Sequence, residues 1–267
     1  MIRNINGIEI YYEVHGEGDA ILLVHGHPFD HTMWNPQIEA FSKKYRVIAP
    51  DLRGYGKTAI APAGFEDYAT DMLLLMDVLG IENFHVAGLS QGGQFIMEIY
   101  RQAPARVKSL ILADTFAGLD TPEAKQIRYN AANKMEAEGM ESYANESIYK
   151  MIRREHVDTM PEVAAHVMGM MKATAPLGAA TAMRARCERI DYLNIVLPTI
   201  TCPTLIVVGR QDEFTPVAKA EEMHHAIKGS KLAVIEDAGH MPNLEHPEEF
   251  NKIVLDFLED TKSKPSL

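Results

Sequence analysis

The chain has 267 residues, of which 46% are hydrophobic and 24% charged. This length suits one large domain, and the composition excludes intrinsic disorder. Lys and Arg number 26 against 37 Asp and Glu, which gives a formal net charge of -11 at pH 7. No basic excess is available to attract a phosphate backbone, so we expect no nucleic-acid partner.

The cysteine count and the hydropathy pattern bear on the cellular compartment in which the protein is expected. Two cysteines, Cys187 and Cys202, cannot form a disulfide framework, and their spacing matches no four-ligand zinc pattern. No apolar run reaches the roughly 18 residues of a membrane span, and the first residues, MIRNINGIEIYYEVHG, lack the apolar core of a secretory signal. We therefore expect a cytoplasmic protein with no membrane partner. The sequence does not determine the oligomeric state, and a homo-oligomer is one of the alternatives.

The first fifty residues predict strands. The segment IEIYYEV, Ile8–Val14, alternates and ends in a cluster of turn formers from His15 to Asp19, which predicts a hairpin. AILLVHG at 20–26 and RVIAPDLRG at 46–54 are continuous apolar runs, typical of strands buried on both faces of a parallel sheet. An amphipathic stretch at 34–44 separates them.

Helices and strands then alternate, as in an α/β fold. The patterns predict a helix near 66–79, strands at 84–88 and 107–113, and a helix that begins after Ser90. From 116 to 198 only helical patterns occur, and strands near 203–209 and 231–236 then resume, followed by helices near 217–227 and 247–258. We therefore expect an α/β core of residues 1–115 and 199–267, with an inserted helical cap at 116–198.

The strongest chemical signal is GLSQG at 88–92, which follows an apolar strand and opens a helical pattern. A nucleophile on a tight strand-to-helix turn needs small neighbours, because larger side chains would collide with the backbone. We therefore interpret Ser90 as a nucleophile.

A serine hydroxyl needs a base to take its proton and an acid to orient that base. His240, in DAGHMP, follows the last predicted strand, and Asp212, in GRQD, follows the strand before it. The chain order of Ser90, Asp212 and His240 is the order expected of a strand-turn-helix nucleophile fold. The oxyanion of acyl transfer also needs backbone donors, and the N–H groups of Gln91 and His27 are placed to supply them.

Several motifs together resemble the α/β-hydrolase family over nearly the whole chain: HGHP at 25–28, DLRGYG at 51–56, GLSQGG at 88–93, GRQD at 209–212 and AGHMPNLEHP at 238–247. The resemblance implies an α/β-hydrolase fold, with a mostly parallel eight-stranded sheet flanked by helices and a helical cap over a Ser-His-Asp site. Within the family the chain is most similar to the serine carboxylesterase and 3-oxoadipate enol-lactonase branch. Asp114 occupies an alternative position that the acid takes in some relatives.

These features predict a serine hydrolase, independent of cofactors, that cleaves a small carboxylic ester or lactone through an acyl-enzyme. Two alternatives on the same fold stay open: a small-molecule receptor, and a cofactor-free haloperoxidase or perhydrolase. Candidate substrate-binding residues are His31, Arg184 and Arg186, since an arginine can hold a carboxylate by two parallel hydrogen bonds. The run HGHPFDH at 25–31 has the residue types of a zinc site, but the serine motifs lead us to expect no metal.

Overall fold

The computed structural model describes the backbone of residues 1–262. Within these residues, eight strands form one sheet in the order β1-β2-β4-β3-β5-β6-β7-β8. The strands are β1 (Ile2–Ile5), β2 (Ile8–His15), β3 (Ala20–Val24), β4 (Arg46–Pro50), β5 (Phe84–Leu89), β6 (Val107–Ala113), β7 (Thr204–Gly209) and β8 (Lys231–Ile235). Only the β1–β2 and β2–β4 pairs of this sheet are antiparallel. The predicted fold, a mostly parallel eight-stranded sheet flanked by helices, is confirmed.

The helices follow the predicted alternation. They are α1 (Asn35–Phe41), α2 (Phe65–Val78), α3 (Gln91–Gln102), α4 (Pro122–Glu138), α5 (Met140–Met151), α6 (His156–Thr159), α7 (Pro161–Ala173), α8 (Pro176–Cys187), α9 (Tyr192–Ile195), α10 (Val217–Ala226), α11 (Pro242–Glu245) and α12 (Pro247–Lys262). The amphipathic stretch before β4 forms a short 3-10 turn, His31–Trp34, and then α1. No helix among residues 1–262 is both long and apolar enough to cross a bilayer.

The hairpin predicted at His15 to Asp19 is wrong. β2 pairs antiparallel with β4, and β3 lies on the other side of β4. The turn at His15 to Asp19 therefore connects two strands, β2 and β3, that are separated in the sheet by β4. The hairpin instead joins β1 to β2 through Asn6 and Gly7, whose φ angles of 53° and 78° suit a tight turn of this kind. The alternation of one strand shows which face is buried, but not which strand lies beside it.

The continuous apolar runs are explained by burial on both faces of the sheet. Alternate residues of a strand point to opposite faces, and Leu22 and Val24 belong to one core while Ile21 and Leu23 belong to another. Helices α2, α3 and α10 cover the first core, and α1 and α12 cover the second. The sheet is therefore the middle layer of three, as an α/β fold requires.

Residues 116–198 connect β6 to β7 and contain six helices, α4 to α9, and no strand. We call this stretch the cap segment. Within it α4 packs against α8 and α5 against α7. The backbone of α8 meets the core at Gly178, where an added Cβ would collide with the backbone of Gly54. Two glycines are thus required because two stretches of backbone are in direct contact.

Gly178→Ala should destabilise the protein by about 1–3 kcal/mol, because the Gly54 backbone cannot move aside as a flexible side chain can. Gly169→Ala, in α7, is the matched control: no atom lies within 4 Å of its added Cβ, and alanine is favoured in a helix by about 1 kcal/mol. Urea unfolding of both variants tests the prediction. Equal stability of the two variants would show that the Gly54–Gly178 contact is not tight.

Candidate active site

Ser90 is the single residue between the end of β5 and the start of α3, and its φ of 57° and ψ of -121° are strained for a residue with a side chain. The flanking glycines make the turn feasible. A Cβ on Gly88 would meet the backbone of Gly92, and a Cβ on Gly92 would meet the carbonyl oxygen of Val24. The serine therefore stands at the carboxyl edge of the sheet with its backbone tightly enclosed.

The three residues that the sequence predicted as nucleophile, base and acid are brought together. Ser90 Oγ lies 2.8 Å from His240 Nε2, and His240 Nδ1 lies 2.8 Å from Asp212 Oδ2. His240 and Asp212 are both buried. This is the geometry in which an imidazole can accept a proton from a hydroxyl while a carboxylate fixes its orientation.

The loop after β7 holds the Asp212 carboxylate ionised. Its Oδ1 accepts hydrogen bonds from the backbone N–H groups of Phe214 at 2.8 Å and Thr215 at 3.0 Å, and the Thr215 hydroxyl donates to Oδ2. Burial raises the pKa of this carboxyl, but His240 and the Thr215 donors outweigh burial and hold the pKa below its ordinary value. A negative charge therefore faces the imidazole at neutral pH.

Two backbone donors predicted for an oxyanion lie beside the serine. The N–H of Gln91 is the first of α3 and has no acceptor within the helix. Neither this group nor the N–H of His27 donates to another group within residues 1–262. Both donors are free to bind a developing negative charge.

The His27 ring is part of the cavity wall. Its Nδ1 lies 2.7 Å from the Tyr55 hydroxyl, and no partner in the described part of the chain reaches its buried Nε2. Burial, followed by the charges of Arg186 and Arg128, lowers the pKa of His27 to about 3. The ring is therefore neutral at physiological pH.

A cavity of about 60 Å³ opens beside Ser90 and His240. Such a volume accommodates only a few water molecules. Its wall is partly apolar and is completed by two arginines, Arg128 of α4 and Arg186 of α8. The remaining lining residues are His27, Gln94, Thr115, Phe116, Tyr143, Met151, Met183, Phe214 and Thr215.

Three arginines of the cap segment share one carboxylate, that of Asp120. Arg128 binds it with two hydrogen bonds, of 3.1 and 3.0 Å. The nearest nitrogens of Arg186 and Arg189 lie 3.8 and 3.6 Å from the same carboxylate. The buried Nε of Arg186 has no hydrogen-bond partner among the described residues. The cluster therefore carries more positive charge than Asp120 neutralises.

The charge state of this cluster follows from its burial. Burial and the charge of Arg128 lower the pKa of Arg186 to about 9, so its guanidinium remains charged at pH 7. Burial raises the pKa of Asp120, but Arg186 and Arg128 hold that pKa below its ordinary value. A buried cation with an unpaired donor is costly unless an anion binds to it.

His31 and Arg184, the other two candidate substrate-binding residues, are not among the residues that line the cavity. His31 Nδ1 lies 2.6 Å from Asp51 Oδ1, and its Nε2 lies 3.3 Å from Glu13 Oε1. Arg184 binds Glu136 of α4 with two hydrogen bonds of 2.7 Å. Residues two apart on a helix do not share a face, so α8 directs Arg186 into the cavity and Arg184 to the outer surface.

The histidines of HGHPFDH also do not converge. His25 Nε2 accepts a hydrogen bond from the Leu52 N–H at 2.9 Å, while His27 faces Tyr55 and His31 faces Asp51. Each ring is held by a different partner. The three rings therefore do not share one point; within the run, only Asp30 and His31 approach another potential ligand among the described residues, Asp51, with atoms of all three residues within 4.8 Å of one another.

Sequence reasoning missed Arg128 and Asp120. Arg128 lies in α4, where charged and polar residues surround the helix and buried positions are few. No local pattern distinguishes its side chain from the solvent-facing charges of the same helix. Its role becomes visible only when α4 packs against α8.

Comparison with known proteins agrees with this architecture. The sequence profile of the alpha/beta hydrolase fold family matches residues 19–247. A thermophilic esterase from Thermogutta terrifontis, whose structure is described with malate bound, is 35% identical and covers 98% of each chain with a TM-score of 0.94. The enol-lactonase from Burkholderia xenovorans LB400 is 30% identical over 97% of this chain and 100% of that one, with a TM-score of 0.91. The 3-oxoadipate enol-lactonase 1 of Acinetobacter baylyi is 29% identical over 97% of this chain and 96% of its own.

The chain therefore belongs to the α/β-hydrolase family, in its enol-lactonase and esterase-like branch. It is a hydrolase of this family.

Proposed function

We propose that the protein cleaves a small carboxylic ester or lactone by serine chemistry and passes through an acyl-enzyme. The observation that carries the proposal is the hydrogen-bonded chain from Ser90 Oγ through His240 to Asp212 at the edge of the cavity. A free hydroxyl is a weak nucleophile near neutral pH, and an adjacent imidazole oriented by a carboxylate overcomes that weakness.

In the acylation step, Ser90 Oγ attacks the substrate carbonyl carbon while His240 Nε2 takes the hydroxyl proton. Asp212 stabilises the imidazolium, and the N–H groups of His27 and Gln91 bind the oxyanion. The imidazolium then donates its proton to the alkoxide oxygen as the ester bond breaks. With a lactone, the alcohol produced in this step remains part of the acyl group.

Deacylation repeats the sequence with water. His240 accepts a proton from a water molecule, whose oxygen attacks the acyl carbon, and then returns the proton to Ser90 Oγ. All proton transfers pass through one imidazole nitrogen, so the reaction needs no cofactor.

We further propose that the substrate carries a carboxylate. Arg128 and Arg186 line the same cavity as Ser90, and Asp120 does not neutralise all of their positive charge. A planar guanidinium binds a carboxylate well. Malate, the ligand described for the Thermogutta terrifontis esterase, is a small dicarboxylate. Both arginines come from the cap segment, which supports a division in which residues 116–198 select the substrate and the core, 1–115 and 199–267, performs the chemistry.

Ser90→Ala should lower kcat for p-nitrophenyl acetate by at least about 10³-fold, because the nucleophile is lost while the fold is kept. Ser42→Ala, at the end of α1 and outside the cavity, is the control and should keep wild-type kcat. Steady-state kinetics with and without a chelator measure both. Undiminished turnover by Ser90→Ala would refute serine chemistry, and an absence of turnover in the wild type towards every ester and lactone tried would favour the receptor alternative.

Arg186→Gln should lower kcat/KM for the p-nitrophenyl monoester of succinic acid by roughly 10- to 100-fold, the value of a hydrogen bond to a charged group. The 4-methylpentanoate ester has an isopropyl group in place of the carboxylate, and its kcat/KM should change only a few fold. Arg184→Gln, two residues away on the outer face, is the matched control and should affect neither ester. Equal losses on the charged and the neutral ester would show that Arg186 does not recognise a carboxylate.

A further inference from the structure

A second buried carboxyl group, that of Asp114, lies behind the Ser90–His240–Asp212 chain. Asp114 follows β6 directly, is 1% exposed and has a φ of 43°, a left-handed backbone that is uncommon for a residue with a side chain. Its Oδ1 accepts a hydrogen bond from the Gly209 N–H at 2.8 Å. No donor among residues 1–262 reaches its buried Oδ2.

The Asp114 carboxyl group lies close to two other titratable groups. One oxygen of Asp114, one oxygen of Asp212 and one ring nitrogen of His240 all lie within 4.8 Å of one another. Glu245 of α11 is the other acidic group that acts on Asp114. Two ionised carboxylates this close in a buried site repel strongly, so one of them holds a proton.

The surroundings decide which carboxyl holds the proton. Asp212 receives three hydrogen bonds from its loop and faces the His240 imidazole, whereas Asp114 receives one, from Gly209. Burial first, and then the charge of Asp212, raise the pKa of Asp114 well above its ordinary value. The proton therefore resides on Asp114.

We propose that Asp114 is a neutral carboxylic acid whose Oδ2–H donates a hydrogen bond to the Asp212 carboxylate. This inference rests on the proposed function, in which Asp212 orients His240. Asp114 touches neither substrate nor the reacting atoms and is a positioning residue. Its hydrogen bond fixes the Asp212 oxygens and withdraws part of their negative charge, which moderates the stabilisation of the His240 imidazolium.

The test compares Asp114→Asn with Asp114→Ala in the pH profile of kcat/KM. Asparagine reproduces a protonated carboxyl: its oxygen accepts from Gly209 and its amide donates to Asp212. Asp114→Asn should therefore keep kcat/KM within about threefold of wild type and leave the acidic limb of the profile in place. Asp114→Ala removes the donor, so Asp212 holds the imidazolium more strongly and the acidic limb moves to higher pH by roughly half a pH unit or more.

Opposite outcomes would overturn the proposal. An ionised Asp114 would make Asp114→Asn remove a negative charge near His240, and the acidic limb would then move to lower pH. If Asp114→Ala lowers only the melting temperature and leaves the limb unchanged, the residue has a structural role alone. Asp256→Asn, an exposed acid of α12, controls for loss of charge far from the site and should not move the limb.

A spectroscopic measurement keeps the proposal testable if Asp114→Ala does not fold. The difference infrared spectrum of wild type minus Asp114→Asn at neutral pH should contain the carbonyl band of a protonated carboxylic acid. A carboxylate band in its place would overturn the proposal. Ser90→Ala separates the two claims, because its retained turnover would reject the proposed function, whereas these Asp114 measurements reject only the inference.

Discussion

The backbone turn at Ser90 is the constraint on which the rest of the site depends. A residue with a side chain held at a positive φ costs about 1–3 kcal/mol, and neighbouring strands must fix it. The Ser90 N–H donates to the Ala113 carbonyl at 2.9 Å, and the Thr115 hydroxyl donates to the Ser90 carbonyl at 2.6 Å. Because the central strands are parallel, the loops after them emerge at the same edge, and His27, Asp212 and His240 meet the serine there.

Opposite charges are separated across the cavity. The core side holds the Asp212 carboxylate, which faces the His240 imidazole. The cap side holds Arg128, Arg186 and Arg189 around Asp120 alone. In a small buried space such separated charge creates a directional field, and a substrate that bears both a carbonyl and a carboxylate would be oriented by it.

The sequence predicts those parts of the fold and site that depend on local pattern. The GLSQG turn, the strands and the positions of Asp212 and His240 after their strands are each encoded by short-range chemistry, because a tight turn needs glycine and a doubly buried strand needs an apolar run. The α/β-hydrolase motifs then specify the sheet as a whole. Element ends differ by a few residues from the prediction, as for α12, which reaches Lys262.

Features that depend on distant partners could not be predicted. The imidazole of His31 is held by Asp51 across a neighbouring strand end, and nothing in HGHPFDH encodes that pairing. Arg184 and Arg186 are the same residue type in the same helix. Only the packing of α8 against α4 places Arg184 at the surface and Arg186 in the cavity wall. The sequence alone presents Asp114 as an alternative acid, because its closeness to Asp212 depends on the pairing of distant strands.

The most direct test of serine chemistry is covalent labelling with diethyl p-nitrophenyl phosphate, followed by peptide mass mapping. Attack by an activated hydroxyl forms a bond from oxygen to phosphorus and releases p-nitrophenolate. The diethylphosphoryl serine that results is hydrolysed only slowly. The account predicts a stoichiometric diethylphosphoryl adduct on Ser90 and a parallel loss of ester hydrolysis. An adduct on a different residue, or full inactivation without a label on Ser90, would contradict it.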